Sequence, residues 1–314
     1  MGTITATLAS VIPIILLIAL GIVLRRARVL DDAVVEGLKR LIVSVVLPAV
    51  LFTAFLSVEF RVEYLALVVI VPAACLVLLA LGHVVRRALG APPVATFLFT
   101  GFEFGMVGLA LFAAAYGLDH VPTAAIVGLG HEFFIWFVFV TLLKRQSDGA
   151  VSLAETALSF VRSPVIIAIV AGLLLNVLGV AGALASNPFS AGVLGALGYL
   201  AALIVPLILL AVGYGTRLSL AGIRQAAPLV AVRFVACLIL ALVLSEVVVG
   251  RWLGLDQFAR AAVFMLFILP PPFIVPIFLP AHRRDEVGYA NNVLSLYTVI
   301  SVVTFVAYVF ATVG

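Results

Sequence analysis

The chain has 314 residues, of which 65% are hydrophobic and 10% charged, with a mean hydropathy of +1.36. Soluble domains carry about a quarter of their residues as charged side chains, so a soluble domain is excluded anywhere along the chain. The net charge of +4 comes from clustered Lys and Arg residues at span ends and needs no nucleic-acid partner.

Crossing a bilayer takes about 20 apolar residues. Such spans fall at about 6–24, 36–57, 64–85, 93–117, 121–142, 163–182, 190–213, 226–248, 258–280 and 290–312. They predict an all-α polytopic membrane protein with ten transmembrane helices. The N-terminal MGTITATLAS lacks the basic region of a signal peptide and leads through an apolar span into Arg25 and Arg26, so it reads as a retained first helix. Loops after odd-numbered spans hold Arg25, Arg26, Arg28, Lys39, Arg40, Arg86, Arg87, Lys144, Arg145, Arg162, Arg217, Arg224, Arg283 and Arg284. Loops after even-numbered spans hold Arg61, Arg251 and Arg260, while Arg233 lies inside span eight. Lys and Arg concentrate on the cytoplasmic side of membrane proteins. The expectation is a multi-pass protein of the plasma (cytoplasmic) membrane with both termini on the non-cytoplasmic side.

The longest polar stretch, Lys144 to Ser163, divides the chain into a first five-helix repeat at 1–150 and a second at 151–314. Residues 151–160 have the spacing of a short amphipathic helix lying on the membrane surface. An odd number of spans per half makes the second repeat inverted. Pro13 and Gly21 in span one are matched by Pro164 and Gly172 in span six, and Pro48 in span two by Pro206 in span seven. Spans four and nine are matched more tellingly, since both are interrupted near mid-depth. Span four carries Gly101, Glu103, Gly105 and Gly108; span nine carries Pro270, Pro271 and Pro272, with Pro276 a turn later. Lipid supplies no hydrogen bonds, so a spanning helix unwinds only where protein or a water-filled cavity covers the freed backbone groups. A matched pair of such breaks points to the binding site of a secondary transporter.

The segments LIVSVVLPAVLFTAF (41–55), GFEFGMVGLALF (101–112) and LPPPFIVPIFLP (269–280) resemble the auxin efflux carrier family, which is PIN-like and related in fold to bile acid:sodium symporters. The resemblance covers essentially the whole chain. It implies a scaffold of spans one, two, six and seven, dimeric through those helices, and a transport domain of spans three to five and eight to ten. Spans four and nine would cross at their breaks, and a small organic anion, a carboxylate or auxin-like compound, would move by elevator-like alternating access. The chain departs from the plant carriers in lacking a long loop between its halves and in placing Glu103 where many members have a neutral residue.

Of fourteen acidic residues, Glu103, Glu132 and Glu246 fall within apolar spans. A carboxylate at the bilayer centre costs about 2.5–3.5 kcal/mol on insertion scales, so such residues usually face a cavity. Glu246 is close enough to a span end to reach interfacial water. Glu103 lies fifteen residues before the turn at Leu118 and Glu132 fourteen after it, which at about 1.5 Å per residue places both at one depth on antiparallel helices. Two such carboxylates cannot both ionise cheaply, and a proton or Na⁺ would relieve them, which makes the pair a candidate coupling site. The structural alternative is that each simply answers a freed backbone group.

At the second break the prolines remove N–H donors and leave carbonyls able to coordinate a cation, and a half-helix beyond the break would present its N-terminus to an anion. Ser295 and Thr298 lie at the depth of Pro271 on span ten, so Pro271, Pro272, Ser295 and Thr298 are candidate substrate contacts. Gly101 and Gly105 have the small-xxx-small spacing that lets helices cross closely and join that candidate set. Asn291 and Asn292 lie nearer the end of span ten, where they cap it or line a vestibule. Asn176 and Tyr214 are weaker polar candidates. Arg233 is expected to snorkel to the interface or, turned inward, to meet a substrate carboxylate. HEFFI at 131–135 lacks the second His that a zinc-protease helix needs, so His131 reads as a packed or hydrogen-bonded residue. Cys75 and Cys237 sit in separate apolar spans and suggest neither a disulfide nor a metal site. Nothing resembles a nucleotide loop or a nucleophile elbow, and no enzyme activity or cofactor is expected beyond a coupling ion. The rival readings are a cation/proton exchanger on the same crossover architecture, and a membrane receptor that binds without flux.

Overall fold

The computed structural model describes residues 2–59, 61–148, 153–216, 219–280 and 282–313, in which helices are joined by turns and loops with no strand among them. The long helical segments in chain order are α1 (Gly2–Arg26), α2 (Asp32–Ser57), α3 (Glu63–Leu89), α4 (Pro93–Tyr116), α5 (Leu118–Gln146), α6 (Pro164–Val177), α7 (Pro188–Gly215), α8 (Leu220–Trp252), α9 (Gln257–Ile268) and α10 (Arg284–Val313). Among the described residues α2, α3, α4, α5, α7, α8 and α10 are each long and apolar enough to cross a membrane, whereas α6 and α9 are apolar but shorter. The chain is a polytopic, membrane-embedded helical protein. Arg217 and the proposed division at residue 150 lie outside the described residues. So does the start of the amphipathic surface helix, whose described part runs Leu153–Val161.

Local chemistry sets the helix ends. Asp31 Oδ1 accepts from the Val34 N–H at 2.8 Å to open α2, and Asp256 Oδ1 accepts from Ala259 N–H at 2.8 Å to open α9. Span six is shorter than the sequence suggests. Gly179, at φ +69°, turns the chain out of α6, and a short helix at Ala181–Ser186 precedes α7, which Asn187 caps. Pro48 cannot donate to the helix ladder, and the turn before it, Ile42–Val46, widens to π geometry.

The helices pack in two sets. α2 runs along α6 and α1 along the second half of α7; α3 runs along α5 and α8 along α10. The first set meets closely through glycine. A Cβ at Gly172 would lie 2.5 Å from the Phe52 carbonyl oxygen of α2, and one at Gly21 would collide with the Leu210 carbonyl of α7. Phe52 follows Pro48 by four residues and Leu210 follows Pro206 by four, so two matching proline-bearing helices receive two matching glycines. Polar ties close this set. Arg25 donates to the carbonyls of Tyr214 (2.6 Å) and Thr216 (2.7 Å), and the Tyr214 hydroxyl donates to Asp32 Oδ1 (2.6 Å). Asn176 donates to the carbonyls of Phe55 and Val58 at the end of α2. Asn176 and Tyr214 thus fasten helices to one another.

Because a backbone carbonyl cannot yield to a new side chain, Gly172→Val should destabilise the protein by about 1–3 kcal/mol or more. Gly195→Ala, at a site where a Cβ meets nothing within 4 Å, should have little effect. Thermal unfolding of both variants in one detergent checks the contrast.

Candidate functional site

Both expected breaks are present. α4 enters as a 3₁₀ segment, Pro93–Phe99, leaves helical geometry from Thr100 to Glu103, and resumes through a π turn at Phe104–Gly108. Gly101 sits at φ +67°, a left-handed conformation that suits glycine. α9 stops at Ile268; Leu269 is extended, as a residue before proline prefers. The chain then passes through Pro270–Pro272 and makes one 3₁₀ turn, Pro276–Phe278. That corrects one expectation: the prolines and the later Pro276 leave no half-helix beyond the second break, and hence no helix N-terminus there to hold an anion.

The two broken segments bond to each other. Glu103 N–H donates to the Pro270 carbonyl at 2.9 Å, and Phe273 N–H donates to Glu103 Oε2 at 2.6 Å. One residue therefore joins the two breaks through both its backbone and its side chain. Gly101 is pressed into the same crossing, where a Cβ would lie 3.0 Å from Pro272 Cγ and 3.1 Å from Ile135 Cδ1.

Neighbouring helices answer other freed backbone groups and hold one side chain of the first break. The Phe102 N–H donates to His131 Nε2 of α5 at 3.0 Å, which in the neutral ring places the proton on Nδ1. His131 Nδ1 is 3.8 Å from Glu132 Oε1, too far for a hydrogen bond. The Thr100 hydroxyl donates to the Cys75 carbonyl of α3 at 2.7 Å, and the Ser301 hydroxyl of α10 donates to the Ile268 carbonyl at 2.7 Å. From α8, Arg233 Nη2 donates to the Gly101 carbonyl at 2.9 Å. Its guanidinium carbon lies 4.3 Å from the centre of the Tyr297 ring and 5.3 Å from that of Phe102. Arg233 is 0% exposed: it lies behind the first break and does not snorkel to an interface.

Two cavities flank the crossing at the end of the molecule where α2 begins. The larger, about 500 Å³, is lined by Glu103, Glu132, His131, Gly105 and Pro272, by the apolar faces of Leu47, Phe102, Trp136 and Ile169, and by Glu36, Lys39 and Arg40 of α2. The smaller, about 260 Å³, is lined by Ser295, Thr298 and Asn291 of α10 together with Ala211 and Thr216 of α7. Glu36, Lys39, Met106, Phe273 and Ile277 border both. Glu103 and Glu132 thus share one cavity, as their matched depth suggests. Ser295 and Thr298 face the other, and the buried Thr298 hydroxyl already donates to the Leu294 carbonyl of its own helix at 2.7 Å. Gly101 and Pro271 are buried at the crossing and line neither cavity. Asn292 bonds Gln225 of α8 (3.1 Å). Glu246 pairs with Arg260 at 3.3 Å, at a distance in sequence from either break. Lys39 reads in the sequence as one loop cation among several. Its place on the wall of both cavities follows from α2 beginning seven residues earlier, at Asp32. Ser301 carries no sequence signal beyond lying one turn past Thr298.

Among the described residues no cluster of three or more His, Cys, Asp or Glu side chains is arranged to hold a metal ion. Cys75 and Cys237 are free and buried. Comparison of the chain with protein-family models gives no match, and comparison with curated proteins gives none.

If His131 serves as a fixed acceptor, His131→Phe strands a buried N–H and should cost about 1–3 kcal/mol of stability. His131→Gln, which keeps an acceptor, should recover part of that loss. Thermal unfolding of the pair is the check.

Proposed function

We propose that the chain is a secondary active transporter of the cytoplasmic membrane, similar to the auxin efflux carriers, that moves a small organic anion by elevator-like alternating access. The observation that carries this reading is the reciprocal bonding of the two broken segments through Glu103 beside a cavity of about 500 Å³. Binding pockets for small molecules span roughly 300–1,000 Å³, and interrupted helices at mid-depth are the usual seat of transporter sites.

Two inverted five-helix repeats fit the paired glycine contacts of α1 on α7 and α6 on α2. The packing pairs support a division into a scaffold of α1, α2, α6 and α7 and a moving body of α3–α5 and α8–α10. Both cavities are lined by Glu36 and Lys39, and the larger also by Arg40, at the end where the sequence is rich in Lys and Arg. By the positive-inside rule that end faces the cytoplasm and both termini face out. Lys39 and Arg40 supply attraction for an anion at the cavity wall, and the apolar lining suits a carboxylate with a hydrocarbon or aromatic body. Glu103 and Glu132 take a proton or Na⁺ with the cargo and so spare the anion their repulsion. A homodimer through the scaffold helices belongs to the same reading. The second reading, a cation/proton exchanger without organic cargo, draws on the placement of both carboxylates in one cavity.

A thermal-shift screen against mono- and dicarboxylates, at acid and alkaline pH and with or without Na⁺, tests the assignment, because a ligand of the folded state raises its stability. Stabilisation by one carboxylate class, lost in Glu103→Gln and reduced in Lys39→Gln, is the expected result. Response to pH or Na⁺ with every carboxylate silent would transfer the assignment to the exchanger.

A further inference from the structure

We propose that the coupling ion at this site is the proton and that the Arg233 guanidinium is a resident cation occupying the place a metal cation would take at the first break. The proposal rests on the transporter reading above and names its coupling ion.

Hard cations such as Na⁺ are held by several oxygens at once, and unwound backbone in transporters supplies them as free carbonyls. Here fixed donors already claim carbonyls at both breaks. Gly101 O accepts from Arg233, Phe102 O from the Phe104 N–H, Ile268 O from Ser301, Pro270 O from the Glu103 N–H and Pro272 O from the Val275 N–H. Arg233 matters most among these donors, because arginine keeps its charge under any physiological condition. It is fully buried, and its Nε and Nη1 find no hydrogen-bond partner among the described residues. A second cation brought to the Gly101 carbonyl would meet this fixed charge in a poorly hydrated setting. The carboxylates of Glu103 and Glu132 remain, and a proton needs only one oxygen.

The groups facing Glu103 are few. α5 supplies Glu132 and His131, and α2 supplies Glu36, Lys39 and Arg40. The segment after α9 supplies the Phe273 N–H, and α8 places Arg233 behind Gly101. His131 Nε2 is committed as an acceptor to Phe102, which leaves the carboxylates to exchange protons with the cavity.

Trp136 lies one helical turn from Glu132 on the wall of the same cavity and reports on it directly. The chain has two tryptophans, and the other, Trp252, is exposed, so Trp252→Phe leaves a single reporter. In nanodiscs, Trp136 emission should pass through a transition with pH whose midpoint is the same in NaCl and KCl. That transition should vanish in Glu103→Gln and persist with a displaced midpoint in Glu132→Gln. Arg233→Ala should lower the melting temperature, and Na⁺ but not K⁺ should restore part of the loss by entering the vacated position. A saturable Na⁺ response of the Trp252→Phe protein at fixed pH, a pH transition that survives Glu103→Gln, or no transition at all overturns proton coupling. Equal effects of Na⁺ and K⁺ on Arg233→Ala, or none, overturn the resident-cation assignment. If Glu103→Gln does not fold, the Na⁺ comparison and Glu132→Gln still decide. Failure of the transporter reading itself would instead appear as an intact titration without uptake of any carboxylate by proteoliposomes.

Discussion

A backbone amide in hydrocarbon must find a partner within the protein, and the arrangement of this molecule around its two breaks follows from that requirement. Each residue that leaves helical geometry between Thr100 and Glu103, or between Leu269 and Val275, frees groups that would cost several kcal/mol each if left bare. Three other helices meet the demand, α5 with the His131 ring, α8 with the Arg233 guanidinium and α10 with the Ser301 hydroxyl, while the Cys75 carbonyl of α3 accepts from the Thr100 side chain. α4 and the segment after α9 then answer one another through Glu103. These helices are bound to the crossing by polar bonds, whereas α1, α2, α6 and α7 are held together by glycine contacts and ties at their ends.

That difference bears on motion. Parting α5, α8 or α10 from the crossing would strand a buried polar group. Between the two sets the contacts at the crossing are of another kind: a Cβ at Gly105 would meet only Leu47 Cδ1, at 3.8 Å. Glu36 and Lys39 of α2 line both cavities, which lie along this seam.

Much of this was legible in the sequence. Glycine around Glu103 and the run Pro270–Pro272 marked both breaks, since neither pattern sits quietly inside a membrane helix. Equal spacing from the turn near Leu118 put Glu103 and Glu132 at one depth. What the sequence could not supply was direction around a helix axis. Arg233 and Thr298 have the right depth, yet one turns behind the first break and the other bonds its own helix. The second break also consumed more chain than expected. Consecutive prolines force each preceding residue to be extended, so the segment ran past Val275 before one 3₁₀ turn closed it, and no half-helix formed. The ends of α6 were missed because Gly179 and Asn187 are punctuation inside an otherwise continuous apolar stretch.

The central claim is that the crossing is reached from both sides of the membrane in turn. Site-directed thiol labelling tests it most directly. Gly105 lines the larger cavity with room for a side chain, and the native thiols Cys75 and Cys237 are buried, so Gly105→Cys provides a reactive group against a quiet background. A membrane-impermeant maleimide should label it from the Lys- and Arg-rich side. A change of pH or the presence of a cargo carboxylate should shift part of the labelling to the opposite side. Labelling confined to one side under every condition would contradict alternating access at this crossing.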